Sequence, residues 1–244
     1  MRKMVLALGA VGLGLAAAGS LWLTSKGQEP YTPSTIEGAY VHLAFEDTLE
    51  TIGSARVAPQ ARDGDAVFAP GPTGYAYHAQ GDGGHLEITT SDLAVLSEKV
   101  EISFDLKAED WTNPYKKGAP IKTLAVVSGK SGDRIRHIVF NLSNGNEPVL
   151  SVALQDKTGA KDKLKSSPGV VTMDWHHVRL VVDQTSETSE LFLDGELVAK
   201  SEIVPSVVSD GVDRVRIGTW HRQNQAFRGL IDNFVIRDAA AGVS

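Results

Sequence analysis

Four segments between residues 175 and 238 constrain this chain more than anything else in its 244 residues: WHHVRLVVD (175–183), ELFLDGELV (190–198), RVRIGTW (214–220) and FRGLIDNFVIRD (227–238). Three of them alternate apolar and polar residues. Val178, Leu180 and Val182 share one face, and Val215 and Ile217 oppose Arg214 and Arg216. A period of two puts successive side chains on opposite faces, the pattern of half-buried antiparallel strands. Asp194-Gly195, between Leu193 and Glu196, is a two-residue turn whose residues both tolerate positive φ. It is the strongest short hairpin signal in the sequence.

Upstream, short strand candidates recur at 40–47, 67–69, 76–79, 85–89, 99–107, 122–128, 136–142 and 148–155. The segment 98–107 alternates cleanly, with Val100, Ile102, Phe104 and Leu106 expected inward and Glu101, Ser103 and Asp105 outward. Residues 156–167 (DKTGAKDKLKSS) read as a charged, solvated hairpin loop. Many short strands with regular turns and no helical period predict an all-β sandwich or barrel.

The order and spacing of these pieces carry a resemblance. Trp175, His177 and Val178 open a strand, and Leu193, Asp194 and Gly195 close the next. Phe227, Gly229, Ile231, Asp232, Phe234 and Ile236 form the last. This run resembles the laminin-G/concanavalin A-like lectin-glucanase jelly roll, with Asn233 where that family commonly has Glu. With HLAFEDTL (42–49) and GYAYHAQGDGGHLEI (74–88) upstream, the resemblance spans residues 38–238. It implies an antiparallel β-sandwich over 37–239 and a structural, core role for Trp175.

The leader sets the rest of the organisation. Arg2 and Lys3 precede an apolar run from Met4 to Thr24, long enough as a helix to span a bilayer of about 30 Å. A signal peptide cut after Ala16-Ala17-Ala18 and an uncleaved anchor both fit. The return of hydrophobicity in Leu21-Trp22-Leu23 favours the anchor, with the C-terminal domain in the periplasm or outside the cell. Residues 25–36, with Pro30 and Pro33, read as an extended linker reaching at most about 40 Å.

Composition excludes several chemistries. The chain has no cysteine, hence no disulfide, thiolate or lipidated cysteine. The net charge is −6, and 1–28 hold three positive residues and no acid, so the remainder carries −9. A body that acidic is a poor partner for nucleic acid. The Glu-x-Asp-x-x-Glu run of the glucanase relatives is absent, which argues against glycoside hydrolysis. His176 and His177 are adjacent in a strand, point to opposite faces and cannot chelate one ion. The other histidines have no partner two or four residues away.

Many relatives in the resembled family bind a calcium ion at the sandwich rim; Asp232 matches their closing-strand Asp, and Asp47 and Asp82 lie in loops able to converge on it. The alternative is that Asp232 caps backbone amides without a metal. Exposed aromatics among polar groups suit sugar stacking or partner contact, and Trp111, Tyr115, Trp220, Arg222 and Asn224 are the candidates. Two non-enzymatic functions follow. One is a membrane-tethered accessory subunit docking on a larger membrane or envelope complex, which the short linker and missing catalytic set favour. The other is a lectin-like carbohydrate-binding module.

Overall fold

The computed structural model describes residues 39–46, 49, 59–89, 98–109, 121–131, 134–143, 147–156, 159–202, 213–219 and 225–240. All belong to one compact unit, Tyr31–Ser244; Met1–Pro30 form the other. The leader and the linker lie outside the described residues. Among those described, no helix is long and apolar enough to cross a membrane.

The chain forms β1 (Ala39–Leu43), β2 (Gln60–Arg62), β3 (Phe68–Pro70), β4 (Tyr75–Gln80), β5 (His85–Thr89), β6 (Lys99–Ala108), β7 (Ile121–Ser131) and β8 (Arg134–Ser143). There follow β9 (Leu150–Gln155), β10 (Lys161–Lys165), β11 (His176–Asp183), β12 (Thr188–Leu193), β13 (Glu196–Ser201), β14 (Arg214–Ile217) and β15 (Arg228–Asp238). They make two antiparallel sheets. The eight-stranded sheet runs β13-β12-β11-β6-β15-β4-β3, with β1 also paired to β15, and the seven-stranded sheet runs β10-β9-β8-β7-β14-β5-β2.

Register explains the core. Leu180 of β11 pairs with Leu191 of β12 and with Ile102 of β6, which pairs in turn with Ile236 of β15. Directly opposed residues share a face, so one row of aliphatic side chains crosses four strands. The seven-stranded sheet answers with Ile138, Val127, Val215 and Ile88 in one row, all buried. Phe104, Phe140 and Phe234 tie the layers together, Phe104 meeting Phe140 edge-on at 5.1 Å and stacking on Phe234 at 5.9 Å. Each such ring contributes about 1.5–3 kcal/mol by burial.

The alternation in β6 holds, yet Glu101 and Ser103 are buried as well. The reason is position: β6 lies mid-sheet, and Arg179 of β11 and Arg237 of β15 both reach Glu101, at 3.4 and 2.9 Å. Residues 156–167 are not simply a loop, since they contain β10, which pairs with β9 from Lys161 to Lys165. The lysines alternate with Asp162 and the buried Leu164, a period of two hidden by the charge of the run. The three-residue β2 was also missed, being too short to show a period. Trp175 is half-buried where the chain enters β11, not part of the core that the resemblance implied.

Candidate functional site

The sequence-derived site residues scatter. Trp111, Tyr115, Trp220, Arg222, Asn224 and Asp47 lie outside the described residues. Asp82 sits in the turn between β4 and β5, where its Oδ1 accepts the Gly84 N–H at 2.9 Å. With Asp65, Tyr77, His78 and Gln80 it lines a cavity of about 180 Å³. Asp232 lies mid-β15, next to Ile231, which pairs with Tyr77 near the start of β4. Asp82 is five residues beyond Tyr77, roughly 15 Å along a strand. The structure does not bring the two carboxylates together.

What it places beside Asp232 is Glu46. Asp232 is wholly buried; its Oδ1 accepts the Asn233 N–H at 2.7 Å, while Oδ2 has no hydrogen-bond partner. Burial pushes its carboxyl up to about 7, the Asn233 amide pulls it down, and Asp105 and Glu46 add to the rise. The local cause is a bulge: register shifts between Asp232 and Val235, and Asn233 takes φ 48°. Glu46, just past β1, has a buried Oε1 without a partner, and burial raises it too, against a hydrogen bond from the Tyr75 backbone. The turn between β3 and β4 wraps both groups. Gly71 N–H donates to the Gly74 carbonyl at 2.9 Å. A Cβ on Gly71 would lie 2.8 Å from Asp232 Oδ2, and one on Gly74 would collide with the Glu46 carboxylate.

One buried and one half-buried carboxylate, each with a buried oxygen that has no hydrogen-bond partner, suit a hard cation. Asp232 and Glu46 are the residues that would hold it, and it would neutralise both charges. Among the described residues, however, no group of three or more His, Asp or Glu could hold a metal ion. Glu46 was legible only as the neighbour of Asp47; its inward turn depends on Phe45, buried at φ 52°.

Around this pair the outer face of the eight-stranded sheet is a closed polar network. His177 Nδ1 lies 2.7 Å from Asp105 Oδ1, and Asn233 Nδ2 donates to Asp105 Oδ2 at 2.9 Å. The Asp105 hydrogen bond outweighs burial and raises the His177 pKa. Arg179 lies over the Phe192 ring at 3.8 Å. His176 faces the other way, as its parity requires: Nε2 accepts the Thr172 N–H at 2.9 Å, so Nδ1 carries the proton donated to Asp194 Oδ2 at 2.7 Å.

On the seven-stranded sheet a second constellation appears that the sequence reading missed. Glu87 of β5 faces three guanidinium groups from two neighbouring strands. Arg216 Nε donates to it at 2.7 Å, and Arg214 Nε and Arg62 Nε each stand 3.8 Å away. Burial alone would raise the Glu87 carboxyl, yet Arg216, then Arg214 and His85, bring it below its ordinary value. The signal was present in the alternation RVRI, but nothing in the sequence set it beside Glu87.

A family model described as the concanavalin A-like lectin/glucanases superfamily matches residues 80–242, from the end of β4 through β15. The chain belongs to the concanavalin A-like lectin/glucanases superfamily. No curated protein matches the sequence. Among solved superfamily-like sandwiches is domain 4 of AbnA, a GH43 extracellular arabinanase from Geobacillus stearothermophilus, in complex with arabinotriose. It is 18% identical, with 83% of this chain and 93% of that one covered and a TM-score of 0.58. The receptor binding domain of botulinum neurotoxin mosaic serotype C/D is 18% identical over 84% of this chain and 48% of its own, with a TM-score of 0.62. The binding domain of botulinum neurotoxin DC, in complex with SialylT, is 14% identical over 82% and 47%, with a TM-score of 0.61. The chain thus spans about half the length of these toxin domains. At such identities the likeness shows the β-sandwich fold alone, and fold does not decide function.

Proposed function

We propose that this superfamily member is a non-catalytic carbohydrate-binding module. The observation that carries the reading is the near-complete mutual overlap with AbnA domain 4, solved with a bound trisaccharide. Among the described residues, the paired carboxylates of β6 and β15, Asp105 and Asp232, are occupied or out of reach. Asp232 has no exposed surface, and both oxygens of Asp105 are held by His177 and Asn233. Glycoside hydrolysis needs two carboxyl groups flanking the scissile bond, and this pair does not supply them. Trp111, Tyr115 and Trp220 provide the rings, and Arg222 and Asn224 the polar contacts, of the sugar-binding surface.

A glycan array probed with the full chain tests this. Retention of a defined oligosaccharide, reduced about tenfold or more by Trp111→Ala and Trp220→Ala, is expected, since losing one well-packed ring costs roughly 1–3 kcal/mol. Retention unchanged in both variants would move the site elsewhere, and no retention at all would end the reading. Docking on a larger membrane or envelope complex is the second reading, favoured by the apolar leader and its twelve-residue linker. It predicts a defined co-purifying partner whose association is indifferent to sugar.

A further inference from the structure

The two sheets differ in charge. The strands of the seven-stranded sheet hold ten Lys or Arg and two carboxylates, Glu87 and Asp162. Those of the eight-stranded sheet hold six and seven. Asp162 pairs with the buried Leu154 and so faces inward, which leaves Glu87 as the outward carboxylate among those seven strands. In a chain of net charge −6 this is a concentrated exception.

Register puts six of the ten basic residues on one outer face, whereas Lys122 pairs with the buried Leu142 and is itself buried. Arg216 pairs with Glu87, Arg214 with Thr89 and Arg62 with His85, all on the outer side. Arg62 and Arg214 side chains are 50% and 44% exposed against 12% for Glu87. At the opposite margin Lys161, Lys163 and Lys165 pair with Gln155, Ala153 and Ser151, outward and exposed. The intervening rows, with Val139, Asn141 and Val126, are uncharged. Four strand spacings, about 19 Å, separate β10 from β14.

We propose that the outer face of the seven-stranded sheet binds a carboxylated polysaccharide, a polyuronate, with Arg62 and Arg214 receiving one carboxylate and the β10 lysines a later one. The proposal rests on the carbohydrate-binding reading above. A guanidinium presents a planar fork that matches the two oxygens of a carboxylate. Two basic margins so far apart select a polymer with repeated charges over a single sugar. A lipid surface is the poorer match, because the large apolar residues that are exposed among the described ones, Tyr75, Val170, Met173 and Leu197, all lie outside these strands.

The test is calorimetry of the full chain with oligogalacturonates of increasing length, with neutral arabino-oligosaccharides, and with vesicles of phosphatidylcholine and phosphatidylglycerol. Tight binding to the longer oligogalacturonates is expected, weakening with salt and falling about tenfold in Arg214→Gln or Arg62→Gln, the loss of one charge-assisted contact. Glu87→Gln should strengthen binding severalfold, since it removes the competing carboxylate; a merely structural role for Glu87 predicts no gain. Lys163→Gln should weaken long oligomers and leave the dimer unchanged. Neutral sugars bound as well as charged ones, with the arginine variants silent, would overturn this inference and leave the module reading standing. No glycan bound by a folded chain would overturn both, and arginine-dependent binding to the vesicles in place of the uronates would overturn this one. Thermal melting of each variant confirms that it is folded, and Arg62, the most exposed of the three arginines, is the variant least able to disturb the fold.

Discussion

Asp232 shows how one residue can belong to a fold-defining motif and still weaken the fold. Its carboxyl rises from 3.8 to about 7, with burial the largest cause. The native state therefore holds a proton that the unfolded chain has released across that window. Stability is greatest below about pH 4 as far as this group is concerned, and falls as pH climbs toward 7. The full penalty is on the order of 4 kcal/mol, at about 1.4 kcal/mol per pH unit. Asp232→Asn keeps an oxygen for the Asn233 N–H and removes the charge. In the presence of a chelator it should raise the melting temperature at pH 8 and leave it unchanged near pH 4. If Asp232 and Glu46 suffice to hold calcium, the ion should stabilise the wild type at pH 8 and not the variant. A variant less stable than wild type at pH 8 under chelation would sink the buried-charge account; equal calcium shifts in both proteins would remove Asp232 from the metal question.

The β12–β13 hairpin is the element on which the motif turns. Asp194 and Gly195 take φ of 53° and 84°, the sign that a two-residue hairpin of this type needs. Asp194 does more than turn. Its Oδ1 accepts the His177 N–H at 2.7 Å and its Oδ2 meets His176, fixing the hairpin to the first residues of β11. The Leu-Asp-Gly spacing made the turn legible, whereas the Asp194–His176 bond joins residues eighteen apart and needed the register. A Cβ at Gly195 would find nothing within 4 Å. Gly195→Val therefore isolates the backbone effect: a β-branched residue at positive φ should cost roughly 1–3 kcal/mol in urea unfolding. Gly195→Asn should cost much less. Equal stability of all three would reject the left-handed turn.

At the scale of the whole molecule, the leader and the sandwich raise separate questions. The length of the apolar run and Trp22 at its outer end predict that the leader is retained. Intact mass of the membrane-extracted protein should include residues 1–18; a mature chain starting at Gly19 and free in the soluble fraction would refute it. For the body, the sequence by itself determined the all-β class, most strand positions, the Asp194-Gly195 turn and the opposed directions of His176 and His177. Alternation and turn chemistry are local properties, written within a few residues. Asp232 also stood out, as a motif position. Its partner did not: Glu46 reaches it only because β1 and β4 pair one after the other along the edge of β15 opposite β6. Asp82 looked equally suited until β4 placed it at the far end. The clustering of Arg62, Arg214 and Arg216 on Glu87 likewise joins residues up to 154 positions apart, through pairings β2–β5 and β5–β14. Which charges meet across strands is fixed by sheet order and register, and those are decided by burying every aliphatic row at once, not by any one segment of the chain.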